Sequence, residues 1–251
     1  MEEGSERQVT VPVWHDHISL DPAGAQDFYG AVLAWNLERS ETDSEYTMIS
    51  AGGRRHGGFV RAAEGPAYWL VYVWVDGLED ALRRIGAAGG SVHTSATAIA
   101  GVGRYAIAAD PAGGIFALWE NGGGPAPSQE AFAWDEVYAP EPQAAARFYA
   151  DVFGWRTEPF NEVYTLLKSE EASVGGLMAL PEGMRSGWLT YLTTDDVDDA
   201  AARAGGRGAG TILAPTDIPN VGRVAVLVDP LGALFGLFGA PAPGSRASEG
   251  A

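Results

Sequence analysis

The sequence contains no cysteine and only 4 histidines. A chain without cysteine forms no disulfide, offers no thiol nucleophile and cannot build a cysteine-ligated zinc site. Basic residues are also scarce, because 16 lysines and arginines face 33 aspartates and glutamates, for a formal net charge of −17. Since binding to a nucleic acid duplex needs many cations along the phosphate backbone, nucleic acid is not an expected partner.

Long apolar runs are missing too. No stretch approaches the roughly 20 apolar residues of a membrane-spanning helix, and residues 1–8 are acidic and polar, unlike a signal peptide. We therefore expect no membrane partner and a cytoplasmic location. The glycine fingerprints of nucleotide binding and the G-x-S-x-G motif of serine hydrolases are absent as well. Hydrophobic residues nevertheless make up 46% of the 251 residues, enough for one large or two medium domains.

The second half of the chain repeats the first at a spacing of about 120 residues. The recurring positions include Trp14 with Trp134, Phe28-Tyr29 with Phe148-Tyr149, Trp35 with Trp155, and Asp110 with Asp229. Between the repeats the chain is rich in glycine, proline and serine, which is typical of a linker. We predict two domains over residues 9–121 and 131–240, joined by a linker at 122–130 and followed by a flexible tail at 241–251.

Within each half, the hydrophobic period changes from that of a strand to that of a helix and back, twice. Residues 11–20 are strand-like, and Asp21 followed by Pro22 predicts a helix that runs to about residue 33. Residues 68–75 predict another strand, and residues 78–88 another helix. Three short strands follow each helix, and after the first helix they are predicted at residues 39–40, 46–50 and 58–61. Each half is therefore predicted to contain βαβββ twice. The expected fold class is α+β.

These features resemble the vicinal oxygen chelate superfamily, which includes glyoxalase I, extradiol dioxygenases and bleomycin resistance proteins. The resemblance rests on residues 21–35 and 110–119 with their echoes at 141–155 and 229–238, and it covers nearly the whole chain. It is closest to fused two-domain actinobacterial members described as glyoxalase-like. It implies two tandem domains, each of two βαβββ modules whose curved mixed sheets form a cup around a ligand. Because one fold serves many functions, function has to be argued from the inward-facing residues.

In metal-dependent members of this superfamily, the ligands lie on the opening and closing strands of the modules. The matching positions here hold Trp14, Trp134, Leu70, Leu189, Ala117 and Gly236, and the last one falls near Gly57 and Gly175, beside His56. Indole and alkyl groups have no lone pair to offer a metal ion. We therefore expect no metal and no other cofactor. His15 and His17 alternate with the inward positions and are expected to pack outside the cup, and His93 is expected to be exposed.

Alternation along the strands puts one carboxylate on the inner face of each cup. These candidate acid or base residues are Asp16 and Glu136. A buried carboxylate is costly unless it is paired, so each either meets an arginine, such as Arg104 or Arg223, or keeps its cup polar for a ligand.

Aromatic side chains dominate the rest of the expected lining, and such rings stack on flat hydrophobic or cationic ligands unless they only fill the core. The predicted ligand-binding residues are Trp14, Ile18, Tyr46, Leu70, Tyr72, Trp74 and Trp119 in the first cup, and Trp134, Tyr138, Tyr164, Leu189, Tyr191 and Phe238 in the second.

The favoured hypothesis is metal-independent binding of a small aromatic, hydrophobic or cationic metabolite or antibiotic, as in drug-sequestering resistance proteins. The first alternative is a metal-free lyase or isomerase of natural-product metabolism that uses Asp16 or Glu136 as acid or base. The second is a metal-dependent lyase or dioxygenase that uses His15, His17 or His56. The sequence does not separate a binder from an enzyme, does not identify the ligand or the functional cup, and fits either a monomer or a homodimer.

Overall fold

The computed structural model describes residues 9–40, 43, 45–123 and 130–240. The predicted tail and residues 124–129 of the predicted linker lie outside the described residues. The first repeat contains β1 (Pro12–Ser19), α1 (Pro22–Val32), β2 (Asn36–Arg39), β3 (Thr47–Ala51), β4 (Arg54–Arg61), β5 (Tyr68–Trp74), α2 (Leu78–Ala87), β6 (Ser91–Ile99), β7 (Gly103–Ala109) and β8 (Ile115–Glu120).

The second repeat has the same order of elements. It contains β9 (Phe132–Ala139), α3 (Pro142–Phe153), β10 (Arg156–Pro159), β11 (Tyr164–Ser169), β12 (Ala172–Ala179), β13 (Gly187–Thr193), α4 (Val197–Gly206), β14 (Gly210–Ile218), β15 (Gly222–Val228) and β16 (Leu234–Gly239). The strands form two eight-stranded mixed sheets, in the orders β2-β3-β4-β1-β5-β8-β7-β6 and β10-β11-β12-β9-β13-β16-β15-β14. The prediction of an α+β fold with tandem βαβββ modules is therefore confirmed.

The chain divides into two compact units whose boundaries fall inside β1, β5, β9 and β13. Unit 1 comprises Met1–Trp14, Leu70–Pro127 and Asp135–Trp188, and unit 2 comprises His15–Trp69, Ser128–Trp134 and Leu189–Ala251. Each unit thus takes segments from both repeats, whereas each sheet belongs to one repeat. The predicted domain boundaries at 9–121 and 131–240 stay a prediction.

Each unit buries its own apolar core between helices and strands. In unit 1, α2 and α3 contribute Ile85 and Tyr149, which pack with Phe116 of β8. In unit 2, α1 and α4 contribute Tyr29 and Ala200 to the core. None of the helices in the described part of the chain is long and apolar enough to cross a membrane.

The start of α1 follows its capping signal. The Asp21 carboxylate accepts a hydrogen bond from the Gly24 amide at 3.1 Å, and Pro22 is the first residue of α1, as predicted. The predictions for the short strands were less accurate. β4 begins at Arg54 rather than near residue 58, because Gly52 and Gly53 both adopt positive φ and form a two-residue hairpin turn from β3.

Candidate functional site

The carboxylate of Asp16 in β1 accepts a hydrogen bond from the Tyr46 hydroxyl at 2.8 Å. Asp16 lies opposite Gly58 of β4, and Gly58 lies opposite Met48 of β3. Because Tyr46 immediately precedes β3, its side chain has to cross β4 to reach Asp16, and neighbouring strands are roughly 4.8 Å apart. The bond therefore joins two strands that are not neighbours in the sheet.

Glycine at position 58 makes this crossing possible. A Cβ atom built on Gly58 would overlap both the ring and the hydroxyl of Tyr46. Any larger residue would have to displace the ring and break its bond to Asp16. Glycine is thus required here by the packing of Tyr46 and not by a turn, since Gly58 lies inside β4.

The second repeat contains the same arrangement. Tyr164 donates to Oε1 of Glu136 at 2.8 Å, and Gly176, opposite Glu136 in β12, is covered by the Tyr164 hydroxyl. Tyr138, two residues further along β9, donates to Oε2 of Glu136 at 3.0 Å. The first repeat has Ile18 at the position of Tyr138. We call Asp16 with Tyr46, and Glu136 with Tyr138 and Tyr164, the two carboxylate–tyrosine clusters.

Both carboxylates are buried, at 4% exposure for Asp16 and 7% for Glu136. The arginines suggested as partners bind elsewhere: Arg104 pairs with Glu79 and Glu120, and Arg223 pairs with Asp198 and Asp217. The suggested pairing is therefore wrong for both arginines. Arg104 of β7 and Arg223 of β15 each bind one acidic residue of a helix and one of an adjacent strand. Tyrosine hydroxyls donate to one oxygen of Asp16 and to both oxygens of Glu136, and they add no positive charge of their own.

Sequence reasoning selected Tyr46 and Tyr164 as ligand donors but did not pair them with the carboxylates. The recurrence of glycine at 58 and 176 is the signal that marks the pairing, because each glycine stands directly opposite the carboxylate residue. The pairing of glycine with carboxylate can be recognised only once the strand register is known.

The remaining predicted lining residues fall into two groups. Leu70, Leu189, Trp74 and Tyr191 are buried, and the indole of Trp74 donates to Asn121 at 3.1 Å. Tyr191 lies over Gly236, where a Cβ atom would overlap its ring. Those that are partly buried are Trp14, Ile18, Tyr72, Trp119, Trp134 and Phe238. The role of this second group as ligand contacts stays a prediction.

The positions at which the resemblance implies metal ligands hold indole, alkyl side chains or glycine, with His56 as a neighbouring donor. A Cβ at Gly57 would overlap the carbonyl oxygen of His15, and the space beside Gly236 is filled by Tyr191. His56 is turned to the hairpin, with Nε2 2.9 Å from the carbonyl oxygen of Ala51. Across the part of the chain that the structure describes, no three histidine, aspartate or glutamate side chains are grouped so that they could hold an ion.

The other histidines pack as expected. His17 Nε2 lies 2.8 Å from Asp229 Oδ2 on the α1 side of the sheet, and Tyr29 of α1 donates to the same oxygen at 3.0 Å. Burial opposes ionisation of Asp229, but His17, the Ala233 amide and Tyr29 outweigh it and lower the pKa of this carboxyl. Burial and the Asp229 charge raise the pKa of Tyr29 well above its usual value.

The residue type at the position of His17 differs between the repeats. In unit 1, Tyr149 donates to Asp110 at 2.8 Å, but Val137 occupies the place of His17. His15 stacks on Phe132 with ring centroids 4.1 Å apart, and His93 is exposed beside Ser91. The histidine and aspartate cluster around Asp229 therefore belongs to the packing between sheet and helix, and not to the face that carries Asp16.

Comparison with known proteins identifies the family of both repeats. The family model described as Glyoxalase-like domain matches residues 13–119 and again 131–238. A putative glyoxylase, CFP32, of Mycobacterium bovis is 32% identical over 97% of this chain and 99% of its own length. The anthracycline biosynthesis protein DnrV of Streptomyces peucetius is 28% identical over 94% of this chain and 97% of its own.

Solved structures share the fold at low identity. The Mn(II)-bound glyoxalase of Novosphingobium aromaticivorans is 17% identical, with a TM-score of 0.68 over 92% of this chain and 82% of that one. The 2,3-dioxygenase LapB of Pseudomonas sp. KL28 is 14% identical, with a TM-score of 0.65 over 94% of both chains. Both repeats of this chain therefore belong to the glyoxalase-like domain family, within the vicinal oxygen chelate superfamily.

Proposed function

We propose that this protein binds a small, flat aromatic metabolite or antibiotic that carries a positive charge, and that it does so without a metal ion. The observation that supports this best is the pair of carboxylate–tyrosine clusters, Asp16 with Tyr46 and Glu136 with Tyr138 and Tyr164. They occupy one strand face of each repeat, beside aromatic side chains.

The chemistry of the clusters favours a cationic group on the ligand. The tyrosine hydroxyls that donate to Asp16 and Glu136 are neutral, so they add no positive charge beside these carboxyl groups. A protonated amine brought to this face gains a charge-assisted hydrogen bond in a region of low dielectric. The partly buried tryptophans at 14, 119 and 134 would add stacking to a planar ring system.

The names of the relatives point to a class of ligand. Two curated relatives are named for anthracycline biosynthesis, and anthracycline glycosides combine a planar polycyclic ring system with an amino sugar. The Mn(II)-bound glyoxalase shares only the fold, and the corresponding ligand positions in this chain hold indole, alkyl groups and glycine. We therefore assign binding of the organic ligand to the side chains themselves.

The test is a fluorescence titration of the full chain with an anthracycline glycoside and with its aglycone, which lacks the amine. Wild type should bind the glycoside more tightly, and dialysis against a chelator should leave the affinity unchanged. Asp16→Asn together with Glu136→Gln should weaken glycoside binding by about tenfold while affecting the aglycone little. Equal affinity of glycoside and aglycone, or loss of binding after chelation, would contradict the proposal.

A second candidate is a metal-free lyase or isomerase. It is favoured by one observation, that each cluster holds a hydroxyl and a carboxylate 2.8 Å apart, within the range for proton transfer. The same titration distinguishes the two functions when the ligand is recovered and weighed by mass spectrometry with chromatographic separation of isomers. An unchanged ligand supports binding alone, whereas a product that disappears in the Asp16→Asn or Glu136→Gln variant supports catalysis.

A further inference from the structure

A second feature of unit 2 lies at the hairpin between β3 and β4. A cavity of about 700 Å³ opens there, and it does not include Asp16 or Tyr46. Its lining residues come from β2, from the end of β3 and from the hairpin turn. They are Ala34, Asn36, Glu38, Ser50, Ala51, Gly52, Gly53, Arg54 and Arg55.

The two arginines of this cavity have no partner within the described structure. Arg54 and Arg55 are exposed, and neither forms an ion pair or side-chain hydrogen bond with any residue that the structure describes. Arg39, Arg147, Arg185 and Arg207 are likewise exposed and form no side-chain bond with the described residues, but none of them lines this cavity. Arg83, Arg104, Arg203 and Arg223 all pair with carboxylates.

The second repeat provides an internal comparison. β4 and β12 have the same length, so Ala172 and Ser173 stand where the first repeat has Arg54 and Arg55. The cations near that hairpin are both paired, Arg156 with Glu171 at 3.2 Å and Lys168 with Glu158 at 3.1 Å. The duplicated fold therefore does not need cations at these two positions, and their presence in the first repeat calls for another reason.

Polar groups on the strands complete the cavity. Asn36 of β2 lies directly opposite Ser50 of β3, so their side chains share one face of the sheet. The Ser50 hydroxyl makes no hydrogen bond with the described residues and is available as a donor. The Asn36 side chain donates a hydrogen bond at 2.8 Å to one oxygen of Glu38, the carboxylate among the lining residues. The lining residues thus carry two guanidinium groups and one carboxylate, and a second carboxylate, that of Glu130, lies against Gly52 with one oxygen 3.5 Å from His56 Nε2.

We infer that this cavity binds the oxyanion group, carboxylate or phosphate, of a small ligand through Arg54 and Arg55, with Ser50 as a further donor. A guanidinium group presents two parallel N–H donors that match either kind of oxyanion. The inference is independent of the proposed function, since the cavity and the Asp16 cluster share no residue.

The experiment is isothermal titration of the full chain with inorganic phosphate, phenyl phosphate and benzoate, with benzamide as the uncharged analogue. The test variant, Arg54→Ala with Arg55→Ser, introduces the side chains that the second repeat carries at these positions. Wild type should bind at least one oxyanion and not benzamide, and the variant should lose at least about tenfold in affinity. A preference for benzoate identifies a carboxylate site, and a preference for the two phosphates identifies a phosphate site.

The matched control is Arg156→Ala, which removes the paired arginine of the second repeat and should leave oxyanion affinity unchanged. Unfolding midpoints in urea check that each variant is folded. Absence of binding by wild type, equal affinity in the double variant, or an equal loss in Arg156→Ala would each overturn the inference. None of these outcomes depends on whether an aromatic cation binds near Asp16.

Discussion

At the scale of single residues, the most informative feature is glycine beneath an aromatic ring. It occurs at Gly58 under Tyr46, at Gly176 under Tyr164 and at Gly236 under Tyr191. In all three places a Cβ atom would overlap the ring, so each glycine leaves room for a tyrosine to lie flat across its strand. These glycines are requirements of packing and hydrogen bonding, since none of the three adopts a positive φ.

Gly58→Ala is expected to displace Tyr46 and to break its hydrogen bond to Asp16. The free energy of unfolding should fall by about 1 to 3 kcal/mol, the usual cost of overpacking a filled site. Urea denaturation measures this change. In the double variant Tyr46→Ala/Gly58→Ala the overlap is gone, so the added methyl group should cost much less than it does in the presence of the tyrosine.

The control for Gly58→Ala is Gly86→Ala in α2, where a Cβ atom would meet nothing within 4 Å. That change should be neutral or stabilising by about 0.5 to 1 kcal/mol, because alanine favours the helix. An unfolding curve of Gly58→Ala that matches wild type would show that Tyr46 reaches Asp16 by a route that does not pass over residue 58.

At the scale of elements, the repeats differ in how equivalent helices begin. α1 follows Asp21, whose side chain accepts from the Gly24 amide. α3 follows Glu141, whose longer side chain makes no capping hydrogen bond, although Pro142 starts that helix as Pro22 starts α1. The duplication therefore contains one capped and one uncapped copy of the same strand-to-helix junction.

This difference predicts unequal effects of the same substitution. Asp21→Ala should lower the free energy of unfolding by about 1 kcal/mol, because one amide of the first helical turn loses its acceptor. Glu141→Ala should change it by less than about 0.3 kcal/mol, since no capping bond is lost. Urea denaturation of both variants makes the comparison, and equal losses would contradict the assignment of the cap.

At the scale of the whole molecule, charge is the dominant property. A formal net charge of −17 on 251 residues creates a negative field that extends into solvent. Such a field attracts cations and repels anions over distances comparable to the Debye length, about 10 Å at 0.1 M salt. The field thus assists the proposed approach of a cationic ligand to the carboxylate–tyrosine clusters.

The field makes association with a cation depend on salt. Raising salt from about 0.02 to 0.5 M should slow association of the anthracycline glycoside by roughly threefold to tenfold. The neutral aglycone should associate at a rate that changes by less than about twofold over the same range. Stopped-flow fluorescence measures both rates. Equal salt dependence for the two compounds would show that the charge of the chain does not guide binding.

Local sequence signals were sufficient for most elements. Hydrophobic periodicity located the four helices, and Asp21 with Pro22 fixed the start of α1, because capping depends on residues three positions apart. The same reasoning failed at β2, which covers Asn36–Arg39 rather than a pair of residues around 39 and 40. A four-residue edge strand has too short a pattern for its period to be recognised.

The sequence by itself determined the duplication, the βαβββ order and the alternation that puts Asp16 and Glu136 on the face away from α1 and α3, because these follow from local spacing. The tertiary structure alone decided the partners of those carboxylates. Tyr46 reaches Asp16 across an intervening strand at Gly58, and Arg104 and Arg223 bind other acids, since side-chain partners depend on the register of strands distant in sequence. The grouping of β1–β4 with β13–β16 likewise depends on long-range packing, which no local pattern encodes.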